Sequence, residues 1–124
     1  MSTVLIIDDS KSARKWILAL LMQELHIAAD YVEAGSGAEA LTLLGEKNFD
    51  LVFLDLTMPG MSGFDVLAEM QQRQVTAKIV VVSADIQPKA RELARGLGAA
   101  AFIEKPLHVD ALRSVLTALG VLHV

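Results

Sequence analysis

Four short apolar runs, rich as a group in β-branched residues, punctuate the chain: Val4 to Ile7, Leu51 to Leu54, Ile79 to Val82 and Ala99 to Ile103. Runs of this length predict strands buried on both faces. A fifth stretch, Ala29 to Ala34, mixes Tyr31 and Val32 with Asp30 and Glu33, which predicts an edge strand with one wetter face. Between the runs, apolar residues return at helical spacing: Trp16, Ile17, Leu20 and Leu21; Leu41 and Leu44; Phe64, Leu67 and Ala68; Ala90, Leu93, Ala94 and Leu97; Leu112, Val115, Leu116 and Leu119. Each set predicts one helix with one buried stripe. Five strands alternating with five helices predict an α/β fold, a parallel sheet with right-handed crossovers and helices on both faces. Val121, Leu122 and Val124 stay apolar past the last stripe; a docked tail, an interface and a cut through a longer chain all fit them.

Composition narrows the chemistry. A chain of 124 residues, 53% of them apolar, has material for one buried core, so residues 1–124 read as one domain. A formal charge of −4 offers no basic footprint for nucleic acid or an anionic membrane. The absence of cysteine excludes disulfides, thiolate catalysis and Cys-ligated zinc. His26, His108 and His123 lack the spacing that sets two imidazoles on one helix face and read as surface residues. Met1-Ser2-Thr3 carries no basic leader region, Asp8 and Asp9 interrupt the apolar run behind it, and no stretch approaches the ~20 apolar residues of a membrane span. A cytoplasmic location without membrane contact is expected.

The polar residues that end the buried strands carry more information: Asp8 with Asp9, then Asp55, Ser83 and Lys105. The carboxyl ends of parallel strands lie along one edge, and ligands bind in the crevice outside them. Taken singly, each residue has a plain structural use: Asp9 or Ser10 as the cap of a helix starting near Lys11, Asp55 as a strand terminator, Ser83 as a turn toward Pro88. Together on one edge they form a site. Two carboxylates ~5 Å apart at an effective dielectric of ~20 repel by about 3 kcal/mol, and a hard divalent cation such as Mg²⁺ relieves that repulsion. An ionised Asp55 is a nucleophile that needs no general base, only charge neutralisation at an incoming phosphoryl group, which the metal, the Lys105 ammonium and the Ser83 hydroxyl can supply.

Four segments carry a family resemblance: Ile6-Ile7-Asp8-Asp9-Ser10, Asp55-Leu56-Thr57-Met58-Pro59-Gly60-Met61-Ser62-Gly63, Val82-Ser83-Ala84 and Phe102-Ile103-Glu104-Lys105-Pro106. In order and spacing the chain resembles the receiver domain of bacterial response regulators, of the chemotaxis-regulator type, over essentially its whole length. The resemblance implies a flavodoxin-like three-layer sandwich with strand order 2-1-3-4-5. It implies that Asp55 is the phosphoacceptor, that Asp8 and Asp9 form the acid pair for Mg²⁺, and that Thr57 offers its backbone carbonyl to the same ion. Ser83 becomes the switch hydroxyl, Lys105 the phosphate-contacting amine, Phe102 the switch aromatic, and Lys105-Pro106 a cis peptide. The implied donor is a sensor histidine kinase or phosphotransfer protein. The implied reader is a downstream target or fused output domain, and a phosphorylation-dependent dimer is a further option. The surface implied for that reader includes Lys89, Arg91, Arg95, Phe102 and Arg113. Such a domain catalyses only its own modification and is not an enzyme in the usual sense.

Phe102 stands where the chemotaxis regulator has tyrosine, so no phenol hydrogen bond is available there. Ser83 replaces the commoner threonine and keeps the hydroxyl. Trp16, the sole tryptophan, is expected to pack in the first helix rather than report on the site. Gly35-Ser36-Gly37-Ala38-Glu39-Ala40 fits a dinucleotide-binding pattern with Asp55 at a plausible spacing, but it follows the weak second strand and leaves Asp8, Asp9 and Lys105 unused. Its glycines read as a turn and helix start. Two rival functions are a degenerate receiver acting only as a docking or dimerisation module, and an aspartyl-nucleophile phosphohydrolase, which usually sets a second acid where Thr57 stands.

Overall fold

The computed structural model describes residues 2–85 and 87–122. Strands and helices alternate along the chain: β1 (Ser2–Ile7), α1 (Lys11–Ala19), β2 (Ala29–Ala34), α2 (Gly37–Glu46), β3 (Leu51–Leu54), α3 (Gly63–Gln72), β4 (Lys78–Ser83), α4 (Pro88–Gly96), β5 (Ala101–Glu104) and α5 (Val109–Ala118). The strands form one parallel sheet in the order β2-β1-β3-β4-β5, and β2 lies at its edge as its mixed composition predicts. The last strand begins at Ala101 rather than Ala99, because Ala99 donates its N–H to the Ala94 carbonyl and closes the end of α4.

Alternation along the strands divides the core in two. Leu5, Ile7, Val52, Leu54, Ile79 and Val81 face one way and pack with Ala40, Val66, Leu67, Met70 and Ala94 of α2, α3 and α4. Val4, Ile6, Leu51, Phe53, Val80 and Val82 face the other way, against Ile17, Leu112 and Leu116 of α1 and α5. The result is a three-layer sandwich. Val121 and Leu122 are half-buried and pack on the α1/α5 side; Val124 and His123 lie outside the described residues.

Some stripe assignments need correction. In α3 the buried positions are Gly63, Val66, Leu67 and Met70, while Ala68 is exposed and Phe64 half-buried. Leu93 of α4 is 51% exposed; the small Ala90 and Ala94 face the sheet instead and let the helix approach closely. Trp16 is 52% exposed and lies outside the core. Its indole N–H needs an acceptor, and it donates to the Leu107 carbonyl at 2.7 Å across the gap between α1 and the segment after β5. Past Ala19 the first helix widens into a π-helical turn, Leu20–Glu24, which still buries Leu20 and Leu21. His26 and His108 are exposed, as expected.

Candidate functional site

The sheet ladder continues one residue past three of the strands. Asp8 donates its N–H to the Ala34 carbonyl at 3.1 Å, Asp55 to Ile7 at 3.0 Å, and Lys105 to Ser83 at 2.9 Å. The backbone of each of these three residues is therefore tied to the end of a neighbouring strand, and the parallel register carries their side chains to one rim.

There the side chains converge. One carboxylate oxygen from each of Asp8, Asp9 and Asp55 falls within 4.8 Å of the others. Asp8 and Asp55 are buried, and Asp9 is exposed. The Lys105 ammonium bonds Asp8 Oδ2 at 2.8 Å and lies 3.7 Å from Asp55 Oδ1. The other oxygen of Asp8 accepts the Ser10 N–H at 2.9 Å. Ser10 is also the cap of α1, its hydroxyl accepting the Ala13 N–H at 3.2 Å, so the capping role open to Asp9 or Ser10 falls to Ser10.

Burial pushes the Asp55 carboxyl above its ordinary value; the Lys105 ammonium and the Thr57 backbone N–H pull against this, while the charges on Asp8 and Asp9 add to it. Burial also works against the charged form of Lys105, but the hydrogen bond to Asp8 and the charges of Asp55, Asp8 and Asp9 outweigh it, leaving the amine above its ordinary value. Lys105 thus stays protonated as the counter-cation of the acid cluster.

Thr57 follows β3 and Ser83 ends β4, whereas the other residues of interest lie along α4, β5 and α5 or at the start of α2. Ser83 is fully buried, and its hydroxyl accepts the Asp85 N–H at 3.2 Å. Thr57 is exposed, two residues past Asp55. The Lys105–Pro106 peptide is cis. Phe102 is half-buried on the α4 side of the sheet, with the Arg91 guanidinium 5.0 Å above its ring centroid. Lys89, Arg91, Arg95 and Arg113 are exposed, and Arg113 pairs with Asp110 at 3.3 Å. The Gly35–Ala40 segment serves packing: Ser36 caps α2, and a Cβ on Gly37 would come within 2.9 Å of the Met61 side chain.

Three features of the site escape a reading of residue types alone. Arg14 donates to the Asp8 carbonyl at 2.6 Å and to Glu33 at 2.9 Å. Trp16 lines an apolar groove of about 500 Å³ together with Val82, Ala84, Lys105, Pro106 and Leu107. Gly63 lies against the acceptor loop so closely that a Cβ would stand 2.3 Å from the Asp55 carbonyl oxygen. The signal for Gly63 is in the sequence, a glycine after the helix cap Ser62, but its contact requires the fold.

The donor set is all hard oxygen with an acid pair and a third carboxylate, which fits Mg²⁺ and disfavours softer metals. Among the described residues, no helix is long and apolar enough to cross a membrane.

Comparison with known proteins agrees with this geometry. A family model described as the response regulator receiver domain matches residues 4–117. The chemotaxis protein CheY of Halobacterium salinarum is 33% identical over 119 residues, 93% of this chain and 97% of that protein. The sensory/regulatory protein RpfC of Xanthomonas campestris is 33% identical over 122 residues, but the match spans 94% of this chain and only 16% of RpfC. Among solved structures, CheY in the CheX-CheY-BeF3-Mg complex of Borrelia burgdorferi superposes with a TM-score of 0.88 at 27% identity, covering 96% of this chain and 89% of the other. TrrA of Thermotoga maritima, in complex with Mg-BeF, superposes with a TM-score of 0.82 at 29% identity, covering 96% and 99%.

Proposed function

The chain belongs to the response regulator receiver domain family, and from that premise we propose that it is a phosphorylation-controlled switch in which Asp55 accepts a phosphoryl group with Mg²⁺ as cofactor. The observation that carries this reading is the meeting of three carboxylates within 4.8 Å of one another, with the Lys105 amine 3.7 Å from Asp55. Asp8, Asp9, Asp55 and the Thr57 carbonyl would hold the ion. When bound, Mg²⁺ neutralises charge on the carboxylates and on the phosphoryl oxygens.

Asp55 attacks as an ionised carboxylate. Its oxygen forms the new bond to phosphorus as the bond from phosphorus to the donor breaks, and the donor group departs with that electron pair. Lys105 already reaches both Asp8 and Asp55, so its ammonium meets the added negative charge without a large displacement. The product carries about −1.5 to −2 units of charge and three acceptor oxygens, which draw the Ser83 hydroxyl away from the Asp85 N–H. Ser83 precedes the loop into α4, and Lys105 begins the loop into α5, so both loops respond. The surface read by a partner then comprises Lys89, Arg91, Arg95, Phe102 and Arg113, and a partner shifts the population only by its differential affinity for the two states.

The relatives supply the classes of partner. RpfC is a sensory/regulatory protein, AtsR of Burkholderia thailandensis is a sensor histidine kinase, and the Borrelia CheY was solved with CheX. A histidine kinase or phosphotransfer protein is accordingly the proposed donor, and a separate target or fused domain the proposed reader, with the whole chain acting as one domain in the cytoplasm. Incubation with acetyl phosphate and Mg²⁺, followed by intact-mass measurement, tests the reading. A phosphoryl adduct that disappears in Asp55→Asn supports it. Absence of an adduct favours a docking module, and rapid multiple turnover favours a hydrolase.

A further inference from the structure

We propose that Arg14 and Glu33 form a positioning pair that fixes the Asp8–Asp9 peptide and thereby sets the divalent-cation affinity of the acid cluster, an inference that rests on the metal site proposed above. Arg14 comes from α1, and Glu33 from β2, where it stands in register with Ile6 of β1. The guanidinium makes two bonds in one plane region: Nη1 to the Asp8 carbonyl at 2.6 Å and Nε to Glu33 Oε1 at 2.9 Å. Lys15 bonds the second carboxylate oxygen at 2.7 Å, so neither oxygen of Glu33 is idle. The Arg14 side chain is only 15% exposed, which separates this contact from the screened surface pairs that contribute little.

The carbonyl held by Arg14 belongs to the peptide that joins the two acids. That unit is planar, so fixing its oxygen fixes the rotation on both sides, at Asp8 and at Asp9 together. Asp8 has further restraints at its N–H and at both carboxylate oxygens. Asp9 is exposed, and among the described residues no hydrogen bond restrains its carboxylate, so the backbone that the peptide sets is what directs its Cα–Cβ bond toward the cluster. Charge alone makes Arg14 an awkward neighbour for a cation site. Glu33 offsets that charge and leaves the fork to act through geometry, as outer partners of metal ligands commonly do.

The test is calorimetric titration of the full chain with Mg²⁺ alone, with denaturant unfolding in EDTA on the same samples. Arg14→Lys keeps the charge and loses the two-pronged contact; its Mg²⁺ affinity is expected to fall by about 10- to 100-fold. Glu33→Gln is expected to fall in the same direction by a smaller factor. The double variant should be no weaker than Arg14→Lys, because the two act as one unit. If Arg14→Lys lowers the unfolding midpoint and leaves affinity unchanged, the pair is structural only and the inference is overturned. Should Arg14→Lys not fold, Glu33→Gln decides by the same criterion. Wild-type protein that binds no Mg²⁺ overturns the metal site and this inference together, whereas wild type and variants binding alike overturn the inference alone.

Discussion

The Lys105 ammonium is bonded to Asp8 at 2.8 Å, on one of the carboxylates that Mg²⁺ would also engage. The protein therefore carries an internal cation in its acid cluster, and metal and lysine compete for the same negative charge. Removing the amine leaves three carboxylates within 4.8 Å without a counter-charge.

Lys105→Ala should cost about 2 kcal/mol of stability in EDTA, less than the loss of one partner from a fully buried pair because the lysine side chain is 27% exposed. Mg²⁺ should restore more of the unfolding midpoint in this variant than in wild type, since it alone then answers the repulsion. Asp55 should remain modifiable while the response of the partner-binding surface weakens. Equal Mg²⁺ stabilisation of both proteins, with an unchanged response, removes Lys105 from the site.

Asp55→Asn gives the pH dependence its sign. Burial raises the Asp55 carboxyl above its ordinary 3.8 in the folded protein. For a group raised on folding, the favourable contribution is complete below the unfolded value and is lost as pH rises through the folded one. Ionised Asp55 thus strains the metal-free fold at neutral pH. The Asn variant should be more stable than wild type by about 0.5–2 kcal/mol at pH 7 in EDTA, with the gap closing as pH falls through the raised Asp55 value toward 3.8. Saturating Mg²⁺ should narrow or reverse the ranking. Denaturant midpoints at several pH values, with EDTA and with Mg²⁺, check all of this; a variant less stable than wild type at neutral pH in EDTA contradicts it.

Trp16 should report on the site after all. Its ring lines the groove that Lys105 and Pro106 also line, and its N–H is fixed on the Leu107 carbonyl. Transfer of the Lys105 ammonium from Asp8 to a phosphoryl group, though a small shift, changes the charge and packing of that wall. Acetyl phosphate with Mg²⁺ should change the tryptophan emission, and the change should vanish in Asp55→Asn. An emission spectrum insensitive to modification disproves the coupling.

The fate of Trp16 marks where sequence reading stops. Helical spacing assigned it to the buried stripe of α1, and spacing says only which side of a helix is apolar. It does not say that the ring stays half exposed while its indole N–H finds an acceptor 91 residues away. Leu93 failed for the same reason, displaced by the smaller Ala90 and Ala94. The fold itself and the convergence of Asp8, Asp55 and Lys105 were legible, because each residue ends a strand and parallel strands end together. Arg14 and Glu33 were not, because their meeting depends on the register of β2 against β1, which no local pattern encodes.

Two glycines separate crowding from flexibility. Gly63→Ala places a Cβ 2.3 Å from the Asp55 carbonyl oxygen and 2.6 Å from Leu56 Cα, both backbone atoms that cannot swing away. It should lose at least about 3 kcal/mol and displace the acceptor loop. Gly96→Ala, with nothing within 4 Å of the new Cβ at the end of α4, should gain about 0.4–1 kcal/mol. Comparable midpoints for the two variants contradict the predicted contact.

The decisive experiment on phosphoryl acceptance at Asp55 locates the modified residue. Protein treated with acetyl phosphate and Mg²⁺ is reduced with borohydride, which converts an aspartyl phosphate to a stable alcohol, and its peptides are mapped by mass. A single modification is expected, at Asp55, absent when EDTA replaces Mg²⁺ and absent when Asp8 and Asp9 are both changed to Asn. Modification at another residue, or modification at Asp55 that survives both treatments, contradicts it.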